Sequence, residues 1–161
     1  MTPMPQNLED APPQTRARAL LAKARHAALS WLDPGGAPGI SRIALGLDAA
    51  GVPVSLISDL TQHAPALRAR PLCALMVGEV GAKGDPLTHP RLMIRAEAVF
   101  IAPDDPARPA LRAKWLADHP KSRLYADFAD FGFVRFRVTS ALLNAGFGRA
   151  HPLSAADLRA R

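Results

Sequence analysis

The chain has 161 residues, of which 48% are hydrophobic and 21% are charged. This balance excludes a wholly disordered protein and supports one domain with a substantial core. Its 20 Lys and Arg residues outnumber 14 Asp and Glu residues and give a net charge of +6, which favours anionic partners. The cations are scattered and form no nucleic-acid-binding motif, and no apolar run is long enough to span a bilayer.

Two further features of the sequence bear on where the protein resides. The opening segment MTPMPQNLED has neither the basic region nor the apolar stretch of a signal peptide. The single Cys73 cannot form an intrachain disulfide, which fits a reducing compartment. We therefore expect a cytoplasmic protein whose partner is an anionic small molecule, and neither nucleic acid nor a membrane.

The first elements follow from proline content and apolar spacing. Residues 1–13 are rich in proline and predict a disordered tail, followed by a single domain over residues 14–161. From Thr15 to Leu32 apolar side chains recur at helical spacing, and the segment Asp33-Pro34-Gly35-Gly36 ends the predicted helix. Residues 40–47 and 52–58 alternate in polarity around a turn at 48–51, which predicts a β-hairpin.

The rest of the chain is interpreted from the same periodicities. They predict a short helix over 61–69, strands over 72–79, 91–101 and 133–140, a helix from Asp105-Pro106 to His119-Pro120, and a terminal helix capped by Ser154 and Asp157. The strands do not alternate strictly with long crossover helices. This order favours an α+β fold, a small antiparallel split β-barrel with flanking helices, over a doubly wound sheet. Because so small a barrel fills its interior with side chains, we expect a ligand outside it, at a subunit interface.

The common catalytic and metal-binding motifs do not occur in this sequence. It contains no GxGxxG, GxxxxGK[ST] or GxSxG segment, so it lacks the backbone geometry of Rossmann, P-loop and hydrolase sites. Its five histidines never stand at i,i+4 spacing, and one cysteine cannot build a zinc site, so no metal is expected. No residue is assigned a catalytic role.

The positive signal is a set of polar side chains at strand ends and at the start of the short helix. The set consists of Ser41-Arg42, Ser58 and Thr61-Gln62-His63. Free N–H groups at a helix start, an arginine fork and nearby hydroxyls together suit a phosphate. The alternative is that Arg42 is a solvated strand residue and Thr61 only a helix cap.

Longer segments carry a resemblance to a known family. SRIALGLDAAGVPVSLISDLTQHAPALRARPLCALM resembles the core of the FMN-binding split-barrel superfamily typified by pyridoxamine 5′-phosphate oxidase. GDPLTHPRLMIRAEAV, HPKSRLYADFADFGFVRFRV and NAGFGRAH are similar to the branch of HugZ-like haem-utilisation proteins, and the resemblance spans roughly residues 15–158. It implies a homodimer with FMN bound across the interface, and an FMN-dependent oxidoreductase of unknown substrate.

The resemblance also implies which residues bind FMN. The residues carried over are Ser41, Arg42, Ile43 and Ala44 along the flavin, with Arg42 on its phosphate side, Ile57 and Ser58 on the next strand, and Arg91 near the isoalloxazine. Gln62 and His63 stand where the oxidases have a basic pair, which weakens the expected hold on the phosphate. The end of the chain lacks the Arg-His substrate motif of the oxidases, which argues against vitamin B6 oxidation.

The HugZ-like branch implies a second candidate cofactor. Its members place haem at the dimer interface, ligated by a histidine near the C-terminus, and His151 is the candidate in that place. A neutral imidazole is a good iron ligand, and Asp127 or Asp130 would strengthen it by bonding its other nitrogen. The alternatives are a surface role for His151, and a dimer that has lost its cofactor and senses a small molecule. Tyr125 is either a proton donor or a buried phenol with a hydrogen-bond partner.

Overall fold

The computed structural model describes residues 7–159 as one antiparallel sheet with helices packed around it. The helices are α1 (Pro13–Lys23), α2 (His63–Ala69) and α3 (Arg108–Asp118). The strands are β1 (His26–Leu32), β2 (Pro38–Ala44), β3 (Gly46–Leu47), β4 (Pro53–Ser58), β5 (Leu72–Val77), β6 (Arg91–Phe100), β7 (Phe131–Asn144) and β8 (Ala150–Ser154). Among the described helices, none combines the length and apolar character needed to cross a bilayer.

The sheet curls into an open barrel. Its strand order is β2-β1-β5-β6-β7-β4-β3, with every pair antiparallel. β7 is long enough to pair with β4 along its first half and with β8 along its second half. The two sides of the curled sheet approach each other where the Ser55 hydroxyl of β4 donates to the Ala44 carbonyl of β2, at 2.6 Å. The predicted α+β split barrel with flanking helices is confirmed.

Two apolar clusters hold this architecture together, because alternate side chains of each strand point to one face. The larger cluster fills the barrel and includes Leu29, Leu75, Leu92, Ile94, Phe136 and Leu143, with α1 and α2 contributing Leu21 and Leu67. The smaller one joins α3 to the outer side of β4 and β7 through Val54, Leu111, Trp115, Leu116 and Phe133. The barrel interior is therefore solid, as expected from its size.

The predicted helix over Thr15–Leu32 is wrong in its second half. α1 ends at Lys23, and the chain continues as β1, in which Ala27 and Leu29 are buried. Small and apolar residues satisfy both the helical and the strand period over so short a stretch. Residues 26–32 form a strand because they hydrogen-bond to β2 on one side and to β5 on the other.

The predicted hairpin of residues 40–47 and 52–58 is also wrong in its pairing. The turn is present, since Gly51 N–H donates to the Asp48 carbonyl at 3.0 Å. However, only the two-residue β3 pairs with β4, whereas β2 pairs with β1 along its whole length. The free edges of β2 and β4 face each other, and within the described part of the chain no backbone hydrogen bonds of a β-ladder join them. This gap is called the seam here.

The predicted ends of the domain also shift. Of the predicted tail, residues 1–6 lie outside the described residues, while Leu8–Asp10 form a 3-10 helix and α1 begins at Pro13. At the other end β8 was not predicted, and the terminal helix is a single 3-10 turn at Ala156–Leu158. The predicted cap of that turn is confirmed, because the Ser154 N–H donates to Asp157 Oδ2 at 2.8 Å.

Candidate functional site

A cleft of about 290 Å³ lies along the seam, and we call it the seam cleft. It is lined by Arg42, Ile43 and Ala44 of β2, by Leu56, Ile57 and Ser58 of β4, by Thr61 and His63 at the start of α2, and by Tyr125 and Phe131. The failure of β2 to pair with β4 creates this cleft, because a continuous ladder would close it. Long-range strand order thus assembles the site.

Most of the residues predicted to bind a cofactor are brought together here. Of that set, seven line the seam cleft: Arg42, Ile43, Ala44, Ile57, Ser58, Thr61 and His63. Ser41 stands behind the wall, where its hydroxyl oxygen lies 3.1 Å from His63 Nδ1. Gln62 is exposed and makes no capping bond to α2, and it is not among the lining residues.

Arg91 and His151 lie elsewhere. Arg91 begins β6 and donates to the Leu87 carbonyl at 3.2 Å. His151 is half-buried on β8 and pairs with Leu143, near the end of β7 opposite Phe131 of the cleft. In a single protomer neither side chain lines the seam cleft.

The hydroxyl groups predicted to hold a phosphate are already engaged. The Ser58 hydroxyl donates to Asp130 Oδ2 at 2.5 Å, and the Thr61 hydroxyl donates to the Ser58 carbonyl at 2.8 Å. α2 has only seven residues, and its first residue, His63, carries a pKa lowered by burial, which keeps the imidazole neutral. The cleft lining therefore offers one cation, the exposed Arg42, while the Asp130 carboxylate accepts from the Ser58 hydroxyl.

His63 is the most unusual side chain of the cleft. It is 7% exposed, and its Nε2 atom is buried with no hydrogen-bond partner among the described residues. Its Nδ1 is tied to Ser41, which in turn accepts a hydrogen bond from the Trp31 indole at 2.9 Å. Buried polar atoms are nearly always paired, so this nitrogen needs a partner that the described residues do not supply, as do both ring nitrogens of His119 outside the cleft.

Tyr125 lies at the end of a similar chain of contacts. Its hydroxyl lies 3.1 Å from the Ser122 hydroxyl, which accepts a hydrogen bond from the Trp115 indole at 3.1 Å. Its ring packs against Phe131, with 4.8 Å between the centroids. The cleft wall on this side is aromatic.

Three lining residues, Leu56, Tyr125 and Phe131, were not predicted at this site, nor was Asp130, which holds the Ser58 hydroxyl. The pairing of β4 with β7, in which Ser58 stands opposite Phe131, brings the start of β7 and the segment before it to this site. No local pattern could have shown this, because residues 58 and 131 are far apart in the chain. The segment ADFADFGF, with its aromatic residues before a strand, was the available signal.

An antiparallel barrel with an unpaired seam, flanking helices and a lined cleft beside the seam defines a split-barrel protein. No family model matches the chain. Over 122 residues, this chain is 35% identical to the chloroplastic non-canonical heme oxygenase HOZ of Arabidopsis thaliana. The matched segment covers 69% of this chain and 36% of that protein. The chain thus spans about a third of the length of the curated relative that it matches.

Solved structures agree on the fold. One solved chain is 45% identical with a TM-score of 0.83, covering 92% of this chain and 96% of its own length. A heme binding protein from Mycobacterium smegmatis is 26% identical with a TM-score of 0.82, covering 92% of this chain and 60% of that one. The chain therefore has the split-barrel fold typified by pyridoxamine 5′-phosphate oxidase.

Proposed function

We propose that this protein binds haem in the seam cleft and acts as a haem-binding or haem-degrading protein. The observation that carries the proposal is the composition of the cleft, which is mainly apolar and aromatic and has a single cation, Arg42. A porphyrin is a wide apolar disc with two carboxylates, whereas FMN ends in a phosphate of nearly two charges. With the hydroxyls of Ser58 and Thr61 engaged by protein acceptors, the cleft suits the porphyrin better.

The residues present fit such a group. Ile43, Leu56, Ile57 and Phe131 would contact the macrocycle, and Arg42 would pair with a propionate. Haem would supply a redox-active iron when bound, and these residues would hold it, orient it and limit access of water to its apolar faces. The similarity to the plant heme oxygenase and to the mycobacterial heme binding protein supports this choice.

We further propose that a second copy of the chain completes the site. A cleft of about 290 Å³ is at the lower end of the roughly 300–1,000 Å³ found for small-molecule sites. Next to Arg42, the outward side of β2, β1 and β5 exposes apolar residues: Ile40 is 78%, Leu72 67% and Met76 49% exposed. A homodimer burying this surface would enclose the cofactor, and His151 of the other copy is the candidate iron ligand.

Titration with hemin tests the haem proposal. The protein is expected to give a Soret band, and His151→Ala is expected to change its position or abolish it. His89→Ala serves as the matched control, because His89 lies on an exposed loop and bonds the Lys83 carbonyl at 2.9 Å. A hemin spectrum identical to that of free hemin in buffer would overturn haem binding. Equal spectra for the wild type and His151→Ala would overturn the ligand assignment alone.

The dimer is tested by sedimentation equilibrium. The wild type is expected at twice the mass of the chain, and Met76→Glu at the monomer mass with weaker hemin binding, because a charge would be buried in the interface. Leu87→Glu is the control, since Leu87 is also exposed but lies in the loop before β6. A wild-type monomer that binds hemin tightly would contradict the shared site.

FMN in the same cleft is the second candidate, with an oxidoreductase activity. The observation in its favour is that the residues carried over from the flavoprotein family, Arg42, Ser58, Thr61 and His63 among them, lie around one cleft. Thermal unfolding with hemin, FMN and pyridoxal phosphate in parallel separates the candidates, because a ligand that binds only the native state raises its stability. Stabilisation by FMN but not by hemin would replace the haem proposal with this one.

A further inference from the structure

We infer that two tryptophan–serine relays make His63 and Tyr125 hydrogen-bond donors into the seam cleft, so that the bound cofactor must present an acceptor oxygen to each. The first relay is Trp31–Ser41–His63, and the second is Trp115–Ser122–Tyr125. The inference rests on the proposal that the seam cleft is the cofactor site. It adds that two side chains of the cleft wall, His63 and Tyr125, are hydrogen-bond donors, and that they require acceptor oxygens on the ligand.

The first relay fixes the position of a proton on His63. An indole N–H can only donate, so Ser41 Oγ is the acceptor in its 2.9 Å contact with Trp31. We assign the Ser41 hydroxyl proton to His63 Nδ1, the ring nitrogen that lies 3.1 Å from Ser41 Oγ. With Nδ1 accepting, a neutral imidazole carries its own proton on Nε2. His63 is held neutral because burial lowers its pKa.

The resulting Nε2–H donor finds no acceptor among residues 7–159. Its nitrogen is shielded from solvent and has no partner in the described part of the chain. Since His63 forms part of the cleft wall, we assign the missing acceptor to the molecule that fills the cleft. A protonated Nε2 also has no lone pair for iron, so His63 binds the cofactor through a hydrogen bond, and iron ligation is left to another residue.

The same reasoning applies to the second relay, which ends at Tyr125. The Trp115 indole donates to Ser122 Oγ, and Ser122 is 2% exposed, so its hydroxyl proton must be bonded inside the protein. Tyr125 Oη is the remaining polar atom near it, at 3.1 Å. If Ser122 donates to Tyr125, the half-buried Tyr125 hydroxyl is free to donate its own proton into the cleft that it lines.

The relays reach the cleft from different parts of the fold, one from β1 and β2 and the other from α3 and the segment after it. Both end in neutral donors, which attract oxygen acceptors without adding charge. The suitable ligand oxygens are those of a carboxylate, a carbonyl or a phosphate. A haem propionate would supply the first of these, and the flavin ring or its phosphate the others.

The tautomer of His63 is measured first, without any ligand. In the protein labelled with 15N-histidine, two-bond 1H–15N correlations at pH 7.5 are expected to show His63 protonated on Nε2. Ser41→Ala is expected to shift His63 toward a mixture of tautomers, whereas Ser140→Ala, on β7 away from the cleft, leaves it unchanged. A His63 protonated on Nδ1, or an imidazolium, would overturn the first relay.

The ligand requirement is measured by binding hemin and hemin dimethyl ester, in which the propionates are no longer anionic. The wild type is expected to prefer hemin by about tenfold, and His63→Leu and Tyr125→Phe to bind hemin about five- to tenfold more weakly, with less preference over the ester. His63→Gln, which keeps a donor amide, should recover part of the affinity. His26→Gln is the histidine control, because His26 is exposed in an ion pair with Glu79.

The outcomes separate this inference from the proposed function. Hemin binding that is equally tight in the wild type, His63→Leu and Tyr125→Phe would overturn the donor roles while haem binding stands. If the wild type binds no hemin, the same measurement is made with FMN and riboflavin instead of hemin and its dimethyl ester. The same variants must then weaken flavin binding. If none of these ligands binds, both the proposed function and the ligand requirement are wrong, and the tautomer measurement alone judges the relays.

Discussion

Gly39→Ala is the substitution with the most direct structural consequence. Gly39 stands opposite Trp31 in the pairing of β2 with β1, and the indole lies over it. A Cβ at residue 39 would come within 2.3 Å of Trp31 Cζ2 and 2.5 Å of Cε2, well inside the usual carbon–carbon separation of about 3.5–4.0 Å. The indole must therefore move by more than about 1 Å, which breaks its bond to Ser41 and with it the relay to His63.

The expected loss of stability follows from these contacts. Overpacking at a half-buried ring costs about 1–3 kcal/mol, and a lost hydrogen bond about 0.5–1.5 kcal/mol. The smaller entropy of the unfolded alanine chain offsets about 0.4–1 kcal/mol. A net loss of about 2–3 kcal/mol should lower the Tm of a domain of this size by about 4–12 °C.

Urea unfolding followed by tryptophan fluorescence and near-UV circular dichroism measures this loss. The matched control is Gly132→Ala on β7, where an added Cβ meets no atom within 4 Å in the described structure. That control should be as stable as the wild type or slightly more stable. If Gly39→Ala unfolds at the same urea concentration as Gly132→Ala, the indole is not held over β2, and the argument for the first relay fails.

Three further predictions concern single side chains. Ser122→Ala leaves the indole N–H of the buried Trp115 unpaired and should cost about 1–3 kcal/mol in urea unfolding, whereas an unchanged midpoint would contradict that bond. Because burial lowers the pKa of His63 below its unfolded value near 6.5, the unfolded state binds the proton more readily, so stability should fall as the pH drops below about 6.5. Unfolding measured from pH 7.5 to 5 should show a smaller fall in His63→Gln than in His26→Gln, and equal falls would refute the assignment. Burial raises the pKa of the half-buried Cys73 thiol to about 12, so its reaction with a disulfide reagent at pH 8 should be much slower than that of a free cysteine, and rapid labelling of the native protein would contradict this shift.

Several elements could be predicted because their signals are local. The turn at 48–51 and the cap formed by Ser154 and Asp157 depend on residues a few positions apart, and both are present. The strands β5 and β6 also follow their apolar patterns closely, starting at Leu72 and Arg91. Arg42 and His63 were selected as candidate site residues by the same kind of argument, from polar side chains at strand and helix ends.

The amino-acid sequence alone was sufficient to predict the class of fold and a short set of candidate residues, because alternation of polar and apolar residues and turn chemistry act over a few neighbouring positions. Tertiary structure decided the rest. It made His26–Leu32 a strand by pairing both of its edges, and it left β2 and β4 unpaired so that a cleft could form. It also brought Tyr125 and Phe131 beside that cleft and settled which hydroxyls are engaged. These outcomes depend on contacts between residues that are distant in the chain, which no local pattern encodes.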